Sequence, residues 1–194
     1  INISEEYIWD GSVWNSGTVP PSGKDISIKG DYTLTGSLEV RRFDVVDGNI
    51  VNIKPGAVLT VNDLLESDNA TVIVESGGSI IILGEVFGNN YRIQRNTTFD
   101  SNTGRYSILG SPVQNAGFNS LGNSAQIYGY DQSELYDPSG NEGLDRFKTP
   151  AQLSQTEMAA GQGYFSAGTG DATGLVEFIG RANRGTLNVD LAFT

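Results

Sequence analysis

One pattern is written twice in this chain, and it leaves little freedom in how residues 51–83 can fold. Val51-Asn52-Ile53-Lys54-Pro55-Gly56-Ala57-Val58-Leu59-Thr60-Val61 recurs as Val72-Ile73-Val74-Glu75-Ser76-Gly77-Gly78-Ser79-Ile80-Ile81-Ile82, 21 residues further on. Val51/Val72, Ile53/Val74, Leu59/Ile80 and Val61/Ile82 hold the period-two apolar positions of half-buried strands, and Gly56/Gly77 mark the turn between them. A unit of this length cannot cover its own apolar face, so copies stack into a solenoid. An imperfect earlier copy places Ile26/Ile28 under Val51/Ile53, 25 residues apart, and predicts about three coils ending near Val86.

Composition agrees with an all-β fold, with 25 glycines among 194 residues and 18 % charged side chains. Twelve basic residues against 23 acidic ones leave a net charge of −11, which repels phosphate backbones and anionic lipid. Cysteine and histidine are absent, which excludes thiol catalysis, Ser-His and Cys-His dyads, zinc fingers and imidazole-bound metals. No apolar run is long enough to span a membrane. Nucleic-acid binding and membrane insertion are therefore not expected, and only carboxylate chemistry or hard-cation binding stays open.

Ahead of the repeats, Trp9-Asp10-Gly11-Ser12-Val13-Trp14 alternates large apolar and small polar residues. Two readings fit it: an end cap that shields the first coil, or an indole platform for a sugar ring. After Gly88-Asn89-Asn90 the period is lost, and short strands follow at Tyr91-Arg95, Arg105-Val113, Gln126-Tyr130, Gly163-Ser166, Val176-Gly180 and Gly185-Leu191. Pro150 to Met158 is the only stretch suited to a helical turn. The expected division is a capped short β-solenoid over 1–88 and an antiparallel β-sandwich over 89–194, incomplete at its C-terminus. Arg95 shares a strand face with Tyr91 and Ile93, which calls either for a buried pairing with a carboxylate or carbonyl edge or for a solvated strand end.

Candidate sites are few. Asp131, Glu134, Asp137, Asn141 and Asp145 offer oxygen ligands for one calcium ion, although the loop has neither EF-hand spacing nor the Gly-Gly-x-Gly-x-Asp repeat; the alternative is a solvated hairpin loop. Trp9, Trp14, Tyr128, Tyr130 and Tyr136 are candidates for stacking on glycans, and they are equally compatible with a β-core. Glu39, Asp44, Glu66 and Glu75 fall on turns or outward positions without an evident second carboxylate, so glycoside hydrolysis has no clear acid pair. Gly161-Gln162-Gly163 and Gly168-Thr169-Gly170 lack the following helix that a phosphate cradle needs.

The order of these features resembles the C-terminal β-rich region of surface and secreted proteins of the Bacteroidetes exported by the type IX route. The resemblance spans nearly the whole chain. It rests on the Trp9 to Trp14 opening, the strands Val58-Val61 and Ile73-Gly78, and Ile93-Gln94-Arg95 for a "VQR" strand. Tyr106 to Val113 matches a "Y-x-x-x-SSPV" element with Gly110 in place of the first serine, and Ile127-Tyr130 matches an aromatic strand. Met158 to Tyr164 fits "M-x-x-G-x-GY", and Phe178 to Gly185 fits "F-x-G-x-x-N-x-G". The family's next strand, resembling "NLVGNPYPS", and its sorting domain do not follow before Thr194. The resemblance implies a non-enzymatic structural or adhesion module at the cell surface, with neighbouring domains of the same polypeptide and the secretion machinery as partners. A glycan-binding module, with or without calcium, is the alternative, and a fragment of a polysaccharide-degrading enzyme is the third reading.

Overall fold

The computed structural model describes residues 6–97, 107–121, 127–131, 146–166 and 174–185. Among the described residues fifteen strands follow one another: β1 (Glu6–Trp9), β2 (Lys24–Ile28), β3 (Tyr32–Leu34), β4 (Ser37–Val45), β5 (Ile50–Ile53), β6 (Val58–Glu66), β7 (Thr71–Val74), β8 (Ser79–Ile82), β9 (Glu85–Phe87), β10 (Tyr91–Asn96), β11 (Ser107–Leu109), β12 (Ile127–Tyr130), β13 (Phe147–Lys148), β14 (Tyr164–Ser166) and β15 (Leu175–Gly180). The protein is all-β: a β-solenoid of about four turns, with an antiparallel sheet besides.

The coils of the solenoid give strands alternately to two sheets, and strands of successive coils pair in parallel. The first sheet runs β1-β2-β4-β6-β8, with β9 also on β6, and the second runs β15-β10-β7-β5-β3. The repeat pairs in the register its spacing dictates: Val51 with Val72, Ile53 with Val74, Leu59 with Ile80 and Val61 with Ile82. Alternation along each strand sends one set of side chains inward, and Val40, Val51, Ile53, Leu59, Val61, Leu65, Val72 and Val74 are all buried. The positive φ of Gly56 (81°) and Gly77 (89°) lets both coils turn at the same height, with the Gly56 N–H donating to the Gly77 carbonyl at 2.9 Å.

Two expectations need correction. Ile26 and Ile28 do not lie under Val51 and Ile53; they pair with Phe43 and Val45 in the first sheet, and the residues stacked on Val51 and Ile53 are Tyr32 and Leu34. In the first sheet the step from Ile26 to Phe43 is shorter than the later ones, so the 25-residue offset aligned strands of different sheets. The solenoid also runs one coil further than expected, because Tyr91, Arg92 and Ile93 continue the stack on Val72, Ile73 and Val74. Tyr91 and Ile93 face inward and are buried, while Arg95 beyond them is half-buried and its Nη1 donates to the Gln94 carbonyl at 2.7 Å.

The compact units are Ile1–Arg95 with Phe178–Thr186, and Asn96–Glu177 with Leu187–Thr194. The solenoid thus extends past the Gly88 turn, and a segment distant in sequence returns to it. In the second unit the described residues form one four-stranded sheet, β11-β14-β12-β13, antiparallel throughout. Its inner face carries Tyr164, Ser166 and Ile127, all buried. A helical turn at Thr149–Gln155 is present as hydrogen bonds from Leu153 N to Thr149 O and Gln155 N to Pro150 O, and a short 3₁₀ turn at Phe118–Leu121 was not foreseen.

Against Asp63 of β6, Gly84 separates β8 from β9. A Cβ there would stand 1.8 Å from the Asp63 carbonyl oxygen, a backbone clash that only displacement of the coil relieves. Gly84→Ala is expected to cost about 1–3 kcal/mol in denaturant unfolding. Leu59→Ala, at a fully buried position, is expected to cost about 2–5 kcal/mol, against about 0.5 kcal/mol or less for Thr60→Ala on the outer face.

Candidate functional site

The two tryptophans meet at the first end of the solenoid. Trp9 closes β1, and an Asx turn at Asp10 reverses the chain: its Oδ1 accepts from Ser12 N at 2.8 Å and from Val13 N at 2.9 Å. These bonds, Val13's first, hold the Asp10 carboxyl below its usual pKa. Trp14 returns beside Trp9, with ring centroids 5.4 Å apart, and Tyr32 completes a trio at 5.2 and 5.4 Å. Trp9 Nε1 donates to the Asp31 carbonyl at 2.9 Å, so the indole's polar handle is satisfied. Trp14 is only 6 % exposed, its ring packed against its two neighbours, which suits a cap and leaves a stacking platform to other rings.

Asn15 finishes this end by imitating a strand. Its Oδ1 accepts from Ile8 N at 3.0 Å, its Nδ2 donates to Glu6 O at 3.2 Å, and its backbone N–H reaches Ile8 O at 2.9 Å. The free edge of β1 is therefore occupied, as an edge strand must be if it is not to recruit another chain. At the other end, β15 lies on β10, and Arg181 and Arg184 donate to the carbonyls of Val86 and Gly84. Arg184 also pairs with Glu85, and the Gly185 N–H reaches Ile82 O at 3.0 Å. Under this closure the Tyr91 hydroxyl donates to Phe87 O at 2.8 Å and lies 2.8 Å from Ser67 Oγ.

The second unit carries an aromatic face. On its third sheet Ile108 stands opposite Phe165, Phe165 opposite Tyr128, and Phe147 opposite Tyr130, so the pleat puts all five on the side away from Tyr164 and Ile127. Phe147 packs edge-on against Tyr130 at 5.8 Å and Phe165 at 4.9 Å. Ile108 is 64 % exposed and Tyr130 is 39 % exposed. Arg146 Nη1 donates to the Tyr130 hydroxyl at 2.8 Å. Of the candidate stacking rings, the fold thus brings Tyr128 and Tyr130 together, and Trp9 with Trp14 separately; Tyr136 lies outside the described residues. Phe147, Phe165, Ile108 and Arg146 were missed, although Tyr164-Phe165-Ser166 reads as an alternating strand whose middle ring must face opposite its neighbours.

Of the proposed calcium ligands only Asp131 is described; its backbone N–H donates to Arg146 O at 2.8 Å. Glu134, Asp137, Asn141 and Asp145 lie outside the described residues. Among the described residues no group of three or more acidic side chains is placed to hold a metal ion. Three of the outward carboxylates of the solenoid are engaged between coils. Glu39 accepts from Asn62 and Ser22, each at 3.0 Å, and these bonds lower its pKa; Asp44 accepts from Ser27 at 3.2 Å, and Glu75 pairs with Lys54. Glu66 lines a shallow hollow of about 220 Å³ with Glu6, Asp25, Arg42 and Asp44.

These features define a class: a short parallel β-solenoid closed at both ends, with an antiparallel sheet in a second unit. The chain belongs to a family described as "Domain of unknown function (DUF8693)", which matches residues 4–194. No curated protein and no solved structure matches it.

Burial raises the pKa of Tyr91 to about 12 and also raises that of Tyr32. A group whose pKa is higher folded than unfolded stabilises fully below its unfolded value, near 10, and ceases to do so as pH passes the folded one. Stability is therefore expected to fall between about pH 10 and pH 12, and Tyr91→Phe is expected to flatten that fall in urea titrations at stepped pH.

Proposed function

We propose that this chain is a non-enzymatic structural module of a large extracellular protein, exported by the type IX route and held at the bacterial cell surface between neighbouring domains of the same polypeptide. The observation that carries this reading is the closure of both solenoid ends. Trp14 and Asn15 close one, and Arg181, Arg184 and β15 close the other. A closed stack spends its edges on itself, so it works as a self-contained rigid spacer rather than a template for assembly. The outward carboxylates Glu39, Asp44 and Glu75 are bound to neighbouring coils, which fits bracing better than acid-base chemistry. The sequence of strand motifs from Trp9 to Gly185 supports the export assignment.

The test is an epitope tag on the full-length protein in its own cells, read by antibody on intact cells with and without the type IX translocon. Surface staining that disappears when the translocon is removed is the expected outcome. A tag that remains inside wild-type cells, or reaches the surface without the translocon, overturns the export assignment. Single-molecule pulling on the tagged chain checks the mechanical part: the solenoid is expected to yield at higher force than the second unit, and the reverse order removes the spacer reading.

A further inference from the structure

We propose that the outward face of the third sheet, formed by Ile108, Phe165, Tyr128, Tyr130 and Phe147, binds the ring faces of uncharged pyranose units in a glycan chain. This goes beyond the spacer role and does not depend on it.

The placement of the residues comes first. In an antiparallel sheet, directly opposed side chains share a face, and the pairs Ile108–Phe165, Phe165–Tyr128 and Tyr130–Phe147 connect all four strands on one side. At strand spacings of about 4.8 Å the row crosses roughly 14 Å, enough for a short oligosaccharide. The other side of the same strands is core, with Tyr164 fully buried. The two faces differ in what they leave accessible: the outward one keeps Ile108 at 64 % and Tyr130 at 39 % exposure.

Chemistry then selects the ligand. The negative faces of aromatic rings attract weakly positive C–H groups, and a pyranose presents such groups along its axial side while its hydroxyls point outward. Arg146 donates to the oxygen of the Tyr130 hydroxyl at 2.8 Å, which leaves that hydroxyl's own proton to donate to an acceptor such as a sugar oxygen. A purely apolar protein surface would bury that hydroxyl without an acceptor, at a cost. Nucleotides and acidic polymers, which also stack or bind arginine, are opposed by the net charge of −11. A neutral, hydroxyl-rich ring satisfies all three conditions.

The experiment is titration calorimetry of the whole chain with neutral oligosaccharides chosen by a glycan array of glucans, xylans, mannans and chitin fragments, with uronate polymers alongside. The wild type is expected to bind at least one neutral glycan. At the most exposed position, Ile108→Lys is expected to weaken it about tenfold or more at an unchanged melting temperature, and Tyr130→Ala to weaken it as much with a lowered melting temperature from the lost Phe147 and Arg146 contacts. Tyr130→Phe, which keeps the ring and loses the hydroxyl, is expected to bind with intermediate strength. Should Tyr130→Ala fail to fold, Ile108→Lys and Tyr130→Phe decide. The proposal is overturned if no neutral glycan binds, if only uronate polymers bind, or if binding is untouched by Ile108→Lys and Tyr130→Phe. Concentration-dependent self-association that Ile108→Lys abolishes would assign the face to a second copy of the chain and overturn it too. Surface display and pulling order read the spacer role separately, so either reading can fail alone.

Discussion

Stacking of identical heights in successive coils is the constraint on which the solenoid depends. A strand of four residues with two inward side chains cannot bury them alone, and it becomes stable only when the coils above and below present apolar groups at the same level. The columns Tyr32–Val51–Val72–Tyr91 and Leu34–Ile53–Val74–Ile93 meet that condition through the second sheet. Each fully buried aliphatic side chain contributes about 1.5–3 kcal/mol, offset in large part by the entropy of ordering the coil. The same register governs the outer faces. Lys54 meets Glu75, Asn69 Nδ2 donates to Asp47 at 3.0 Å, and Arg41 bridges Asp25 and Asp63, because residues one coil apart are neighbours. Individually these exposed contacts are weak, of the order of a few tenths of a kcal/mol, and their use is to penalise a slipped register.

A stack of this kind creates two ends and exposed edges as fast as it creates core, and both ends are managed by local chemistry. The column of Val51 and Val72 begins and finishes in tyrosine: Tyr32 packs into the tryptophan pair, and Tyr91 lies beneath the returning C-terminal segment. Each end also has a side chain standing in for a missing strand, the carboxamide of Asn15 at one and the guanidinium groups of Arg181 and Arg184 at the other. Unpaired strand carbonyls accept from those guanidinium groups without the chain having to add a fifth coil. The cost is topological, since the closing residues 178–185 come from beyond the second unit and must find β10 after it.

Much of this could be read from the amino acids alone, and what could not has physical causes. Val51/Val72 and Leu59/Ile80 pair as their spacing says, because two adjacent coils of equal length leave one solution for register. Where coil length changes, spacing misleads: Ile26 stands on Phe43, and Tyr91 follows Val72 after 19 residues instead of 21. The expected boundary at Gly88-Asn89-Asn90 rests on the loss of the 21-residue period there, and Tyr91 and Ile93 nevertheless continue the stack on Val72 and Val74 at the shorter spacing. The return of Phe178–Gly185 has no periodic signature, because β15 is one strand set on β10 from a distant part of the sequence and repeats nothing around it. The Trp9–Trp14 cap was legible as a pair, while Tyr32 and Asn15 were not, since neither lies in the tryptophan segment's apolar alternation or marks itself as an edge group.

The distribution of polar contacts gives the two units different capacities for binding. On the solenoid's outer faces the charged and amide side chains already satisfy one another between coils, so a ligand there must break Glu39–Asn62 or Lys54–Glu75 contacts before making its own. Such exchanges return little, because a hydrogen bond to a ligand merely replaces one already made. The third sheet differs: its outward side chains are aromatic and aliphatic, with hydroxyl groups at the ring tips and one guanidinium at Tyr130. Apolar surface still in contact with water, as at Ile108, has free energy to release on contact. The proposed glycan face therefore falls where the chain has left its interaction energy unspent, and the repeat that dictates the fold is for the same reason the part least suited to recognition.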